Sequence, residues 1–143
     1  MAAAIEAGVA AARAEDAERL REAAAQLSKL DGAQTGKVMG GVLRLLLERG
    51  HPDGVDGDDI RDLLQDCTRD AAHWLPETDP HTLLVVLAGA LGIHPDEHEE
   101  VARPSPESIA LNTPVLIAHL LTGRLEPYLV TTLADIARSE LMD

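Results

Sequence analysis

The stretch Asp79-Pro80-His81-Thr82-Leu83-Leu84-Val85-Val86-Leu87-Ala88-Gly89-Ala90-Leu91-Gly92 decides how the rest of the chain is read. Asp79 and Pro80 hold the favoured cap and first-turn positions of a helix, where a carboxylate accepts from free N–H groups and a missing N–H costs nothing. The body that follows is apolar on every side. Such a helix leaves no face for water and is expected to be buried. Gly92 supplies the stop, and Pro95 follows it. The reading is a buried central helix over about 80–91 with other helices packed around it.

Working outward toward the C-terminus, 94–106 is an acidic connection containing proline. Ser105-Pro106 caps a short helix through Leu111, and Thr113-Pro114 caps another over 115–122, stopped by Gly123. Pro127 starts the last helix, with Leu129, Leu133, Ile136 and Ala137 expected inward.

Toward the N-terminus, Asp56 caps a helix, with Val55 and Ile60 at hydrophobic-staple positions and Asp58 and Asp59 at its positive end. Ile60, Leu63, Leu64, Cys67, Ala71 and Trp74 or Leu75 trace one face of it, and Pro76 ends it. Asp31, with Gln34 three residues on, caps the helix before that, whose apolar face carries Val38, Val42, Leu45 and Leu46 and whose stop is Gly50. Gly36, Gly40 and Gly41 each cost about 1 kcal/mol relative to alanine in a helix, so close approach of a neighbouring backbone, or a kink, is expected there. Residues 1–30 read as an alanine-rich helix whose narrow stripe (Val9, Ala12, Leu20, Ala23, Leu27, Leu30) has a gap at Asp16 and suits packing on a partner chain. No segment alternates with period two over a useful length. The expectation is a single all-α domain over 1–143, a bundle of six or seven helices.

Composition agrees. The chain has 143 residues, enough to bury a core without disulfides or metal staples. It has no Phe, one Trp (Trp74) and one Tyr (Tyr128), so Leu, Val, Ile and Ala must build the core. The net charge of −13 carries no basic footprint for phosphates, which argues against nucleic acid and against anionic membrane surfaces as partners. The single cysteine, Cys67, allows no intramolecular disulfide and fits a reducing compartment. The first residues lack the basic region of a signal peptide, and the longest apolar run, 83–91, is too short to span a bilayer, so a cytoplasmic location is expected. The excess of arginine over lysine and the abundance of alanine match a high-GC bacterial coding bias.

His51-Pro52-Asp53 and His94-Pro95-Asp96 lie 43 residues apart, each after an apolar helix. That spacing suits two stacked helical hairpins, but His-Pro-Asp is also a common helix exit, and two copies do not separate the readings. Gly32-Ala33-Gln34-Thr35-Gly36-Lys37 has one residue too few between its glycines for a phosphate loop and no strand before it. The acidic cluster Asp53, Asp56, Asp58 and Asp59 fails the EF-hand spacing at positions 3 and 5 and suits a helix start instead.

The metal candidates are His94 and His98, four apart in an acidic stretch, with His51 and His81 able to add ligands from other loops; a solvated loop is the plainer reading. His119 sits in an apolar run and suits a structural role, donating to a backbone carbonyl; a pH or ligand role would need a partner carboxylate. Cys67 lies on an apolar face near Asp66 and Asp70, the setting of a small buried hydrophobe and not of a nucleophile. Trp74 suits closing the end of the bundle, or an interface anchor.

No catalytic or cofactor signature stands out from this sequence. The expected function is therefore a non-enzymatic helical interaction or assembly module, a homo-oligomer without cofactor. The alternative is a small-ligand or metal sensor, using His94 and His98 or the space beside Gly36, Gly40 and Gly41. An enzyme would need the His51 and His94 loops to converge.

Overall fold

A computed structural model describes residues 1–93 and 103–142. Among the described residues the chain forms seven helices and no strand: α1 (Ala2–Arg13), α2 (Ala17–Ser28), α3 (Gly32–Gly50), α4 (Gly57–Ala72), α5 (Pro80–Ala90), α6 (Pro106–Leu120) and α7 (Glu126–Met142). The expected all-helical bundle is the fold. None of the described helices is long and apolar enough to cross a membrane.

The helix starts follow their caps. Asp31, Asp56, Asp79 and Ser105 each accept from a backbone N–H in the first turn of the helix that follows, and Asp56 and Asp59 form a reciprocal capping box. Val55 and Ile60 pack against the core, as their staple positions require.

The single helix expected over 2–30 is instead two. At 14–16 the Glu15 N–H donates to the Ala12 carbonyl at 3.1 Å and the Asp16 N–H to the Ala11 carbonyl at 2.9 Å, with Glu15 at φ 55°. This is the Schellman stop, usually built on glycine. Asp16 then caps α2 by accepting from the Arg19 N–H. The fold-back changes the fate of the narrow stripe: α1 and α2 pack on each other and on α6, burying Ile5, Val9, Leu20 and Leu27 within the chain. The stripe that one straight helix would have offered to a partner is covered by its own neighbours.

The centre of the bundle also differs from expectation. It belongs to α6, which packs against α1, α2, α3, α4 and α5. Its stretch from Asn112 through Ile117 is buried throughout. The all-apolar α5 buries only one side, through Thr82, Leu83, Leu87 and Ala90, and leaves Leu84 43% exposed. The two short helices expected either side of Thr113-Pro114 are one, with Pro114 inside it. Pro114 has no N–H to give, and its buried ring lies against Gly8 of α1: a Cβ on Gly8 would stand 3.2 Å from Pro114 Cγ. The glycine thus lets α1 approach the one turn of α6 that proline makes irregular.

A buried polar group fixes α5 to α6. Asn112, 0% exposed, accepts from the Asp79 N–H at 3.0 Å and donates to the Ser108 carbonyl at 3.0 Å. The Thr82 hydroxyl donates to Asp79 at 2.7 Å and lies 2.7 Å from the Ser108 hydroxyl. Beside it, Glu77 and Arg21 pair through two contacts at 2.6 and 2.9 Å, which hold the Glu77 carboxyl below its ordinary range.

Only one of the three central glycines meets a neighbour. A Cβ on Gly41 would collide with the Thr132 methyl of α7, whereas Gly36 and Gly40 have nothing within 4 Å of theirs. That contact sets the register of α7. Leu129 and Thr132 are buried and Ile136 is half-buried, while Leu133, expected inward, is 42% exposed and Ala137 lies outside as well. Arg49, at the end of α3, donates to the Tyr128 hydroxyl. The first His-Pro-Asp corner does not build a hairpin, because α3 packs on α5, α6 and α7 and not along α4. The second corner, His94-Pro95-Asp96, lies outside the described residues.

Candidate functional site

Three helical faces converge on a cleft of about 330 Å³ between α1, α4 and α6. From α4 and its exit come Cys67, Asp70, Ala71 and Trp74, spaced 3, 1 and 3 apart and so on one face. From α6 come Val115, Ala118 and His119, spaced in the same way. The end of α1 and its stop add Ala12, Arg13 and Glu15. Ala12, Ala71 and Val115 are nearly covered, and the lining that stays open is mostly polar.

Cys67 is 1% exposed. Burial, and then the nearby Asp70 carboxylate, push its thiol up to about 12. A thiol so placed is protonated at neutral pH and is a packing residue, as its place on the apolar face of α4 predicts. His119, expected from its apolar run to face the core or an interface, stands at the edge of the cleft. Its side chain is 25% accessible, and Nδ1 stands 3.9 Å from Asp70 Oδ2. That distance is too long for a hydrogen bond but within ion-pair range. Asp70 also lies 3.8 Å from Arg69 Nε, while Arg69 makes its close contact, 2.9 Å, to Asp66. Asp70 is thus approached by two nitrogens and tightly held by neither. Arg13 turns its guanidinium toward the α6–α7 connection, donating to the Gly123 carbonyl at 2.6 Å.

Residues read separately in the sequence (Cys67, Trp74 and His119) therefore share one cleft. Arg13 and Glu15 carry no signal of their own. They reach the cleft only because α1 stops where it does, and no glycine marks that stop.

The metal candidates fare differently. His94 and His98 lie outside the described residues. His51 caps α3, with Nδ1 3.3 Å from the Leu47 carbonyl, and His81 stands in the first turn of α5. Among the described residues no group of three or more His, Cys, Asp or Glu side chains is placed to hold a metal ion. In the acidic cluster, Asp56 and Asp59 close the capping box of α4 and Asp58 lies 3.6 Å from Arg61.

A second feature is a surface. α7 packs principally on α3, and its outer side carries Val130 (60% exposed), Leu133 (42%) and Leu141 (88%). Ala134 and Ala137, between them, are also exposed. The spacing 130, 133, 137, 141 places these residues on one stripe. The sequence places Leu133 and Ala137 inward, because α7 is apolar on two sides and either face suits burial.

Comparison with protein-family models, with curated proteins and with solved structures finds no significant match.

Proposed function

We propose that the chain is a non-enzymatic interaction module that assembles through the outer face of α7, with a second copy of itself as occupant. The observation that carries this reading is the stripe of Val130, Leu133, Ala137 and Leu141, which is exposed on a helix already anchored by its other face. Contiguous exposed apolar stripes mark interaction sites more often than lone exposed residues do. A stripe on one helix is self-complementary about a two-fold axis, the commonest symmetry of homo-oligomers. The stripe spans about 16 Å at 1.5 Å per residue. Contact of that length supports a weak dimer, and the charge of −13 on each copy weakens it further at low salt. The setting that goes with this reading is the cytoplasm, supported by a lone buried cysteine and the lack of any disulfide it could form.

Sedimentation equilibrium over a range of protein and salt concentrations tests it. The expected result is a monomer–dimer equilibrium that shifts toward dimer as salt rises, and a monomer at all conditions for Leu133→Asp with unchanged helical content. A wild-type chain that stays monomeric at high concentration and high salt would overturn the reading.

A further inference from the structure

We propose that α7 exchanges between two copies of the chain, the inner face of one copy's α7 taking the seat on the other copy's α3. The exchange uses the inner face of α7, so it stands whether or not the outer stripe pairs.

The seat belongs to one element. α7 packs principally on α3. Two residues that set its register are both on that helix. Gly41 leaves the space that the Thr132 methyl fills, and Arg49 donates to the Tyr128 hydroxyl. The α3 of a second copy offers the same groups in the same order. An element that passes between identical chains makes the same contacts in its new place, so dimers form this way at low cost.

The seat also releases α7 readily. Of the 17 residues of α7 only Leu129 and Thr132 are buried, where α6 buries seven of its 15. One of those two is poorly satisfied. Thr132, 3% exposed, holds a hydroxyl with no hydrogen-bond partner among the described residues. A buried unpaired hydroxyl costs about 1–3 kcal/mol, and water satisfies it once the helix lifts.

The connection suits a hinge. Leu121 leaves α6 in extended backbone, at φ −77° and ψ 123°, and Leu125 is buried again before α7 begins. Between the two leucines, Thr122, Gly123 and Arg124 are exposed. Straightened, the four steps from Leu121 to Leu125 reach about 14 Å, more than the roughly 8–10 Å between packed helices. The side-chain bond the hinge gives up is the one from Arg13 to the Gly123 carbonyl, at 2.6 Å on the surface.

Mixing two single variants, Gly41→Cys and Thr132→Cys, in a glutathione redox buffer tests the exchange. A Cβ on Gly41 would stand 3.5 Å from the Thr132 Cβ, a separation that a disulfide accepts. The expected result is a disulfide-linked dimer joined between 41 and 132, as peptide mapping reads it, with a yield that rises with protein concentration. Its yield should exceed about tenfold that of Gly41→Cys mixed with Leu133→Cys, whose thiol faces outward. Cys67, 1% exposed, does not compete. The wild-type chain supplies the second measurement, isotope-filtered NMR on a concentrated mixture of labelled and unlabelled copies. It should show the Thr132 methyl of one copy against Gly41 of the other. A dimer through the outer stripe gives contacts at Val130 and Leu133 instead and loses them in Leu133→Asp, whereas exchange survives that substitution. Should a cysteine variant fail to fold, the wild-type experiment decides alone. The proposal is overturned if every Gly41–Thr132 contact in the wild-type mixture lies within one copy, or if the folded variants cross-link no better than the Leu133→Cys control.

Discussion

Toward its N-terminus α6 meets the loop before α5 through Asn112, whose amide is buried and bonded at 3.0 Å on both sides. About two turns later it meets α1 and α4 around His119, whose nearest carboxylate stands 3.9 Å away across an open cleft. Both ends bring polar groups from several elements together, yet one end is sealed and the other is not. At the sealed end every bond has gone into fixing where α5 begins. At the open end the charges are gathered by helix packing and left with reach to spare. A buried polar group must find partners or cost free energy, whereas an exposed one need not, so the second kind is left loosely held.

That contrast breaks first at Asn112. Asn112→Ala would leave the Asp79 N–H without its partner and a gap where the buried amide stood, and should destabilise the fold by about 3 kcal/mol in urea denaturation. His119→Ala, at the other end, should cost no more than about 0.5 kcal/mol, in line with exposed ion pairs. Equal losses for the two would mean that the ends of α6 do not differ in the way described.

The thiol beneath the cleft sharpens the comparison as a function of pH. Cys67 holds its proton up to about 12 in the folded chain, against an ordinary value of 9.0. Above pH 9 the unfolded chain loses that proton and the folded chain keeps it, so stability must fall as pH rises through this window. The slope contributed is about 1.4 kcal/mol per pH unit. Cys67→Ala should remove that contribution whatever its effect on stability at neutral pH, as read from denaturation curves between pH 8 and 11. A wild-type slope no steeper than the variant's would show that the thiol ionises freely in the fold and that the open end is wetter than the burial of Cys67 implies.

The smallest effect lies at the rim. Glu15→Gly should raise stability by about 1 kcal/mol by relieving a left-handed residue, while Glu15→Ala should not, since alanine meets the same strain. Thermal melts of the three chains decide it. A gain with alanine as well would place the cost in the carboxylate and not in the backbone.

Much of the fold was legible. Caps at Asp31, Asp56, Asp79 and Ser105 are local chemistry, read from a residue and the helix that follows it. Most of the misreadings share a cause, a neighbour distant in sequence. Pro114 ends a helix by every local rule, yet α6 passes through it, packed there against Gly8. Leu133 reads as core until Thr132 is seated on Gly41. The helix break at Glu15 lacks the glycine that announces the same stop at Gly92. The cleft was least legible, because Cys67, Trp74 and His119 each suit a plain role alone and acquire a shared one only when α4 and α6 stand side by side.

The attachment of α7 has a consequence for motion. Because it rests principally on α3, it can open as a unit without disturbing the packing of α6 on α1 and α2. In native-state hydrogen exchange its amides should form a separate foldon, opening at a lower free energy than those of α6, whose exchange should require global unfolding. Anything that seats on the outer stripe closes that local opening. Dimerisation would then be visible as protection spreading along α7 before it alters the exchange of the core.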